Sequence, residues 1–451
     1  MVRYGKIFAL TMVLVLCEQM FVFALTDEEI FSQFQFNFLT PGARATALGG
    51  AFIGLADDAT AVESNPAGLT QLYDPEVSLE FKYISYTTEQ IFENFYAVTD
   101  IKTREFDNSV QGLPFMSVAF PYKRMVFSFY RQELVNYESS YRTSQYPIRI
   151  PDSTFYFYPI DGATDLTVTN YGIGVAIQPV EGLSIAVSPR WSELDMEASV
   201  KRFDATLEYD ALYGYIPTDF SDTHIKNKTW IDDSDAEFSI NAGVMWRLNF
   251  LEKILDIPRI SLGAVYRTGP RFEVTESFSY RLLPTYVNNQ YEVITDVGKL
   301  SDMTAFTLKV PDSYGFGLAV QPTNALTFTV DIVCIEYQDL LKDFDIVLDS
   351  NEDKNDYTVD NAVEAHVGAE YVLTLGERLL ALRLGGYYEP DHTIRYTGDD
   401  ATNKILFPGG DDQLHFTGGV GLVINEHFQI DTAANIAENN KQFSISTVYR
   451  F

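Results

Sequence analysis

The chain is short of cysteine, of basic residues and of long apolar runs. Only two of its 451 residues are cysteines, Cys17 and Cys334, which is too few for a disulfide framework. Lys and Arg number 32 against 63 Asp and Glu, and this net charge of −31 excludes binding to nucleic-acid phosphates through clustered basic side chains. After residue 24 no stretch of about 18 apolar residues occurs, which excludes a protein that spans a membrane with helices.

The composition also excludes a disordered chain. Hydrophobic residues make up 46% and aromatic residues 14% of the sequence, with 33 Phe and 28 Tyr but only 3 Trp. A chain so rich in aromatic residues can bury enough apolar surface to fold. A soluble protein of two or three domains and an outer-membrane β-barrel both fit these numbers.

The first residues have the features of a secretory signal peptide. Arg3 and Lys6 precede an apolar run, Ile7–Cys17, that is too short to cross a bilayer. We expect cleavage after about Ala24. The alternative, a lipoprotein modified at Cys17, is disfavoured because bulky Leu16 lies where a small residue is required.

Alternation of apolar with small or polar residues runs through most of the remaining chain. In Ile240–Phe250 every second residue is apolar, and Leu183–Trp191 follows the same rhythm. Successive side chains of a strand point to opposite faces, so each segment predicts a strand with one apolar face. Fourteen such strands can be placed, at 77–90, 110–120, 124–140, 165–178, 183–203, 238–250, 260–280, 305–320, 325–337, 362–373, 379–390, 413–424, 427–436 and 443–451.

Alternation fits both a soluble sandwich and a membrane barrel, and other features separate the two. Short links such as 179–182 alternate with long polar segments such as 192–237, as in outer-membrane barrels. Aromatic residues near strand ends, Trp246 and Tyr387 among them, fit interfacial girdles. The final strand ends in Phe451, which resembles the signal read by the barrel-assembly machinery. We therefore predict an all-β fold, a transmembrane antiparallel β-barrel of fourteen strands in the bacterial outer membrane.

Residues 25–76 do not alternate and are rich in Gly and Ala. Small side chains let backbone pack closely in a confined space, as Gly49 and Gly50 would against a barrel wall. Asn65 and Pro66 predict a compact turn. The segment is either an ordered periplasmic extension or a hatch that fills the lumen. The predicted organisation is thus a signal peptide at 1–24, a hatch at 25–76 and a barrel at 77–451.

Four short pieces of this segment resemble the N-terminal hatch of the FadL-like family; they are Gly42–Arg44, Gly49–Phe52, Ala56–Ala59 and Asn65–Leu69. The resemblance implies an outer-membrane channel for passive uptake of long-chain fatty acids and other hydrophobic compounds. It also implies hatch or gating roles for Gly49, Gly50, Asn65, Pro66 and Ala67. PorV-like proteins, which serve a secretion system as outer-membrane shuttles, share the pattern and are the alternative. A general porin is disfavoured because an open pore should lack a plug.

Four arginines, Arg190, Arg247, Arg267 and Arg383, fall on predicted lumenal faces. One interpretation is that they form internal ion pairs, because buried charges must be paired. The other is that they bind the carboxylate of an amphipathic ligand, for which a guanidinium group is suited.

Few features of the sequence indicate catalysis or the binding of a cofactor or metal. The five histidines have no metal-ligand spacing, and neither a Gly-x-Ser-x-Gly elbow nor a phosphate loop is present. The acidic loop Asp349–Asp360 lacks the Gly and Glu of an EF-hand, so it predicts a solvated surface loop. Divalent cations could join such loops to lipopolysaccharide. We predict no enzyme activity, no cofactor and no bound metal, with outer-membrane lipid and a hydrophobic ligand as partners.

Overall fold

The computed structural model describes most of the chain after residue 40. The described residues are 41–93, 102–143, 146–150, 153–157, 159–203, 209–210, 214–215, 220, 225–280, 285–287, 290–292, 300–342, 356–399, 404, 407 and 409–451. The expected signal peptide at 1–24, the first part of the 25–76 segment and most of the acidic loop lie outside them. No helix among the described residues is long and apolar enough to cross a membrane.

Fourteen antiparallel strands, counted over the described residues, form one closed barrel. The strands are β1 Glu76–Glu93, β2 Lys102–Tyr122, β3 Met125–Arg142, β4 Ile160–Val180, β5 Leu183–Phe203, β6 Ile225–Arg247, β7 Arg259–Arg267 continued by Arg271–Tyr280, β8 Leu300–Lys309 continued by Ser313–Thr323, β9 Leu326–Ile335, β10 Ala362–Leu375, β11 Arg378–Glu389, β12 Gln413–Val423, β13 Phe428–Ile436 and β14 Asn440–Arg450. Each strand pairs with its neighbours in sequence, and β14 pairs with β1.

The other elements are short. The helices are α1 Ala43–Ala47, α2 Ala61–Ser64, the 3-10 helix Pro66–Gln71, α3 Asn249–Leu255 and α4 Asp339–Lys342. Small two-stranded sheets pair Tyr146–Ile150 with Ser153–Phe157, Tyr209–Asp210 with Gly214–Tyr215, Thr285–Val287 with Gln290–Glu292, and Tyr357–Thr358 with Arg395–Tyr396.

The prediction of a fourteen-stranded all-β barrel is confirmed. Closure runs from Glu76 opposite Arg450 to Tyr86 opposite Asn440. It is completed at the rim that carries the short links, which we assign to the periplasm, where Phe451 donates its N–H to the carbonyl oxygen of Pro75 at 3.0 Å. Closure leaves no sheet edge exposed to lipid. The predicted strands were too short at their outer ends: β2, for example, begins at Lys102. Recognition of Phe451 by the assembly machinery stays a prediction.

An apolar band encircles the lower and middle part of the outer surface. Its members are large side chains at outward positions, such as Phe129, Ile240, Phe316, Phe416 and Phe443, all between 44% and 65% exposed. Such a band is where the barrel meets lipid. Above it the outward positions turn polar, so the long strands extend beyond the membrane on the side of the long loops.

Candidate ligand passage and hatch

Residues 42–72, here called the hatch, pack inside the periplasmic half of the barrel. Gly49 and Gly50 have φ values of +68° and +76°, a left-handed conformation that glycine adopts without strain. A Cβ atom on Gly49 would lie 2.6 Å from the backbone nitrogen of Gly386, and one on Gly385 would lie 2.4 Å from that of Gly49. Hatch and wall therefore touch backbone to backbone, the close approach expected of Gly49.

Asn65 fixes the turn before the 3-10 helix and also joins the hatch to the wall. Its Oδ1 accepts the N–H of Ala67 at 3.2 Å, and its Nδ2 donates to the carbonyl oxygens of Ile53 and Val244. Pro66 takes the first position of the helix, where the missing N–H costs nothing. The compact turn predicted for Asn65 and Pro66 is present, and Ala67 is fully buried within it.

Two of the predicted arginines bind the hatch, Arg190 through the buried carboxylate of Glu63 and Arg267 through a backbone carbonyl group. Glu63 Oε1 lies 2.9 Å from Arg190 Nη1, and Glu63 Oε2 accepts the hydroxyl of Tyr130 at 3.0 Å. Arg267 Nη2 donates to the carbonyl oxygen of Ser64 at 2.6 Å. Both guanidinium groups face the lumen as predicted, and they bind the hatch.

A second ion-pair network joins α1 to the opposite wall. Arg44 Nε and Arg383 Nε each donate to Glu370 Oε2, at 3.0 and 2.6 Å, and Arg383 Nη1 binds Asp431 at 2.6 Å. Burial lowers the pKa of the Arg44 guanidinium, but Asp57 and Glu370 outweigh burial and leave that pKa well above its ordinary value. The hatch cation therefore stays charged and holds α1 against the wall.

Arg247 is placed differently from the other three arginines. It lies at the periplasmic end of β6, where Nε donates to Glu252 Oε1 of α3 at 2.9 Å, and half of its side chain is exposed. The internal-pairing interpretation thus describes Arg190 and Arg383, whereas the ligand-carboxylate role of all four arginines stays a prediction.

Three histidines that are far apart in sequence, His366, His392 and His415, lie around Glu389 above the hatch. The ring of Tyr387 stacks between His366 and His415, with centroids 5.0 and 4.0 Å away, and His366 Nδ1 lies 2.7 Å from the carbonyl oxygen of Gly49. His415 Nε2 is 2.7 Å from Glu389. The girdle position predicted for Tyr387 is wrong. Its ring faces the lumen because it lies on the same face of β11 as Arg383, four residues earlier, whereas Trp246 is half exposed on the outer surface.

The outer half of the lumen, above the hatch, is lined by apolar side chains rather than by the small and polar residues that alternation predicted. We call this group the lumenal apolar cluster. It comprises Val135, Tyr137, Tyr141, Ile160, Leu166, Val168, Leu194, Met196, Ala198, Val200, Ile231, Phe272, Val274, Phe306, Leu308, Val310, Ile335, Tyr337, Leu340, Tyr357, Val359, Ala362, Ile394, Tyr396 and Phe407. Its lower edge meets the histidines where Tyr337 stacks on His392 at 4.3 Å.

In the outer part of the wall, β2 and β3 are not paired with each other. The two strands pair only from Phe115 opposite Gln132 to Tyr122 opposite Met125, although β2 stays paired with β1 and β3 with β4. A bulge with Pro114 bends β2 at the upper end of this ladder. Above it, the N–H of Ser140 is held by the Asn108 side chain at 3.2 Å. Val135, Tyr137 and Tyr141 of the lumenal apolar cluster line this opening, here called the first seam.

One group of carboxylates among the described residues is close enough to share a metal ion, namely Asp312, Glu336 and Asp339. Lys309 pairs with Asp312 and Lys342 with Asp339, so two of the three charges are already balanced. We assign no metal to it. Of the acidic loop Asp349–Asp360, residues 356–360 are described. Asp360 is exposed and pairs with Arg395, but Tyr357 and Val359 are buried in the lumenal apolar cluster, so the prediction of a solvated loop is wrong for this end.

A closed fourteen-stranded barrel with an apolar outer band and an internal hatch defines a class of outer-membrane transport channels. The chain belongs to the family of outer membrane transport proteins described as OMPP1/FadL/TodX, whose sequence model matches residues 25–447. It is therefore a bacterial outer-membrane protein, and the resemblance seen in the hatch pieces is confirmed. Among curated protein sequences, none matches this chain.

Solved structures agree on the fold. A Pseudomonas aeruginosa FadL homologue is similar with a TM-score of 0.62 and 13% identity over 92% of this chain and 99% of that one. The monoaromatic hydrocarbon channel CymD has a TM-score of 0.58 at 13% identity, and the Ralstonia pickettii toluene transporter TbuX 0.54 at 14%, with the same coverage. These likenesses show the fold. The family model is that of a transport family, so the secretion-shuttle alternative is not favoured.

Proposed function

We propose that this channel lets small hydrophobic molecules cross the outer membrane passively, through the lumenal apolar cluster, with the hatch as the gate beneath it. The observation that carries the proposal is the change of lining along the lumen. The outer half presents buried aliphatic and aromatic side chains, and the periplasmic half is filled by the hatch and its ion pairs. Transfer of an apolar molecule from water to such a lining is favourable, because it removes apolar surface from water.

The lining fits apolar substrates of two shapes. Long-chain fatty acids are the substrates that the resemblance implies, and CymD and TbuX are named for monoaromatic compounds. Uptake of radiolabelled oleate and of radiolabelled toluene, measured in cells that lack their own channel, separates the two classes. Uptake of neither above the empty-vector level would refute the proposed function.

Met196 provides a test of the apolar route. Its side chain lies in the lumenal apolar cluster, whereas that of adjacent Glu197 points outward. In Met196→Gln an amide must lose water when an apolar ligand passes, at a cost of about 1–3 kcal/mol. We expect uptake to fall by about tenfold, while the matched Glu197→Gln change leaves uptake unaltered. Equal uptake by both variants would place the route elsewhere.

We propose that the first seam gives these molecules a lateral way into the outer half of the lumen, above the hatch. Cysteines at Asn108 and Ser140, joined by a short thiol crosslinker in a Cys334→Ser background, should close it, because the two residues already touch across the opening. We expect the crosslinked protein to lose most of its uptake and to regain it after reduction. Full uptake with the crosslink in place would mean that ligands enter the lumen elsewhere than at the first seam.

A further inference from the structure

A row of three polar side chains crosses β10, β11 and β12 between the hatch and the lumenal apolar cluster. The register of these strands places Glu364, Glu389 and Gln413 side by side. All three point inward, since each lies two residues from one of the three stacked rings described above. His366 Nε2 lies 3.1 Å from Glu364 Oε2, so that carboxylate already has a partner. The acceptors that remain for a ligand are therefore those of Glu389 and Gln413.

Glu389 and Gln413 each offer one acceptor atom at this level. Glu389 Oε2 lies 2.7 Å from His415 Nε2, whereas its Oε1 lies farther from the nearest histidine, 3.8 Å from His392 Nε2. Gln413 Oε1 is buried and has no hydrogen-bond partner among the described residues. A buried acceptor without a donor is unfavourable, so a ligand that brings a donor to Gln413 Oε1 removes that cost.

His392 adds a third acceptor. Its Nδ1 lies 3.1 Å from the carbonyl oxygen of Pro390, which can only accept, so Nδ1 carries the proton and Nε2 of the neutral ring carries a lone pair. The Nε2 atom is buried and has no hydrogen-bond partner in the part of the chain that the structure describes. A second proton there would find no acceptor either, because the 3.8 Å to Glu389 exceeds hydrogen-bonding distance. The ring therefore presents an unsatisfied acceptor beside Glu389.

The lumenal apolar cluster begins directly beside these acceptors. Tyr337 of the cluster stacks on the ring of His392 with centroids 4.3 Å apart. Ile394, two residues after His392, belongs to the same cluster. Apolar surface and free acceptors are thus adjacent, which suits a ligand that has an apolar body and a hydrogen-bond donor at one end.

From this arrangement we propose that Glu389, His392 and Gln413 form a headgroup subsite for the hydroxyl group of an apolar phenol or alcohol. The hydroxyl donates to the free acceptors, and the apolar body stays in the lumenal apolar cluster. A carboxylate ligand is disfavoured, because it brings further acceptors and its charge is repelled by Glu364 and Glu389. The inference rests on the proposed function for the route by which ligands arrive, and it narrows their class to neutral molecules that carry a hydroxyl group.

Removal of the acceptors should abolish the preference for a hydroxyl group. The probes are 4-propylphenol and propylbenzene, which share one apolar body, and their affinities for the purified protein in detergent are measured by calorimetry. In His392→Phe with Gln413→Leu, which keeps a ring beside Tyr337, we expect the affinity ratio of phenol to hydrocarbon to fall about tenfold. The control His427→Phe changes an exposed histidine of a short link and should leave the ratio unaltered. An unchanged ratio in folded, heat-modifiable double variant overturns the subsite.

Removal of the charges should relax the exclusion of carboxylates. In Glu364→Gln with Glu389→Gln the row keeps its oxygen atoms and loses both negative charges. The affinity for 4-propylbenzoate relative to that for propylbenzene should rise about tenfold, because a like charge no longer opposes the ligand. The matched control, Glu193→Gln with Glu197→Gln, removes two carboxylates from the outward face of β5 and should have no such effect. The same relative affinity in both double variants contradicts the proposal.

A spectroscopic readout on the unaltered protein separates failure of the subsite from failure of the proposed function. With nitrogen-15 histidine, the Nε2 resonance of His392, identified by its loss in His392→Phe, should shift when 4-propylphenol donates to it and should stay in place with propylbenzene. This shift supports the subsite even in a protein that takes up no substrate, an outcome that refutes only the proposed function. Absence of the shift at saturating phenol, or the same shift with both probes, overturns the subsite.

Discussion

A disulfide between the hatch and the wall should stop uptake. Thr70 Oγ1 of the 3-10 helix lies 2.6 Å from Ser184 Oγ of β5, so cysteines at both positions bring two sulfur atoms together with little change of backbone. If the hatch must shift for ligands to reach the periplasm, the oxidised double variant should be inactive and regain uptake on reduction. The measurement is uptake of radiolabelled oleate or toluene, with and without a membrane-permeant reductant, in a Cys334→Ser background.

The matched control joins wall to wall. Ser192 Oγ and Ser239 Oγ lie 3.2 Å apart on β5 and β6, both inside the barrel, and a disulfide there leaves the hatch free. We expect this variant to take up substrate at the wild-type rate whether oxidised or reduced. Undiminished uptake through the hatch-locked protein would show that ligands pass this segment without moving it, and the gating role would be lost.

Removal of Arg190 should destabilise the protein far more than removal of an arginine from an exposed ion pair. The Arg190–Glu63 pair is almost fully buried, and loss of the guanidinium leaves a carboxylate with Tyr130 and the more distant Arg267 as its remaining polar contacts. Breaking a buried pair from one side costs about 3–5 kcal/mol. Urea unfolding of Arg190→Ala in lipid vesicles, followed by the mobility shift of the folded barrel, should show a loss of that size.

Two variants make this result specific. Arg190→Gln with Glu63→Gln removes both charges and should recover much of the loss, because no unpaired charge remains buried. Arg131→Ala breaks a wall pair with Glu133 whose arginine is a quarter exposed, and exposed pairs contribute only about 0–1 kcal/mol. Equal destabilisation by Arg190→Ala and Arg131→Ala would mean that the hatch contact adds nothing to stability.

Local features of the chain were sufficient to predict the barrel, and also the turn and the close backbone approach in the hatch. Alternation is a property of neighbouring residues, and it places strand after strand because each strand must turn one face to lipid. The turn at Asn65 and the close approach at Gly49 follow from what amide side chains and glycine can do in any fold. The inward direction predicted for Arg190 on β5 and Arg383 on β11 was also correct, because side chains two residues apart on a strand point to the same face.

Contacts across the lumen could not be predicted in the same way. His366, His415 and Tyr387 stack because β10, β11 and β12 are neighbours in the closed sheet, and Tyr387 points inward on the same face of β11 as Arg383. Alternation likewise assigned the lumen small and polar residues. The strands extend above the membrane, however, where the outward face is polar and the inward face is apolar. The lumenal apolar cluster is the consequence.

The sequence by itself determined the number of strands, their faces and the membrane in which they lie, because these depend on spacing along the chain and on the solvent at each face. Only the tertiary structure decided which arginine meets Glu63 and where the wall comes apart. The first seam depends on two strands that bend differently at Pro114, and on the side chain of Asn108, which reaches Ser140 on the next strand. Whether two neighbouring strands are joined by backbone hydrogen bonds or are separated by a gap is decided only when the barrel closes.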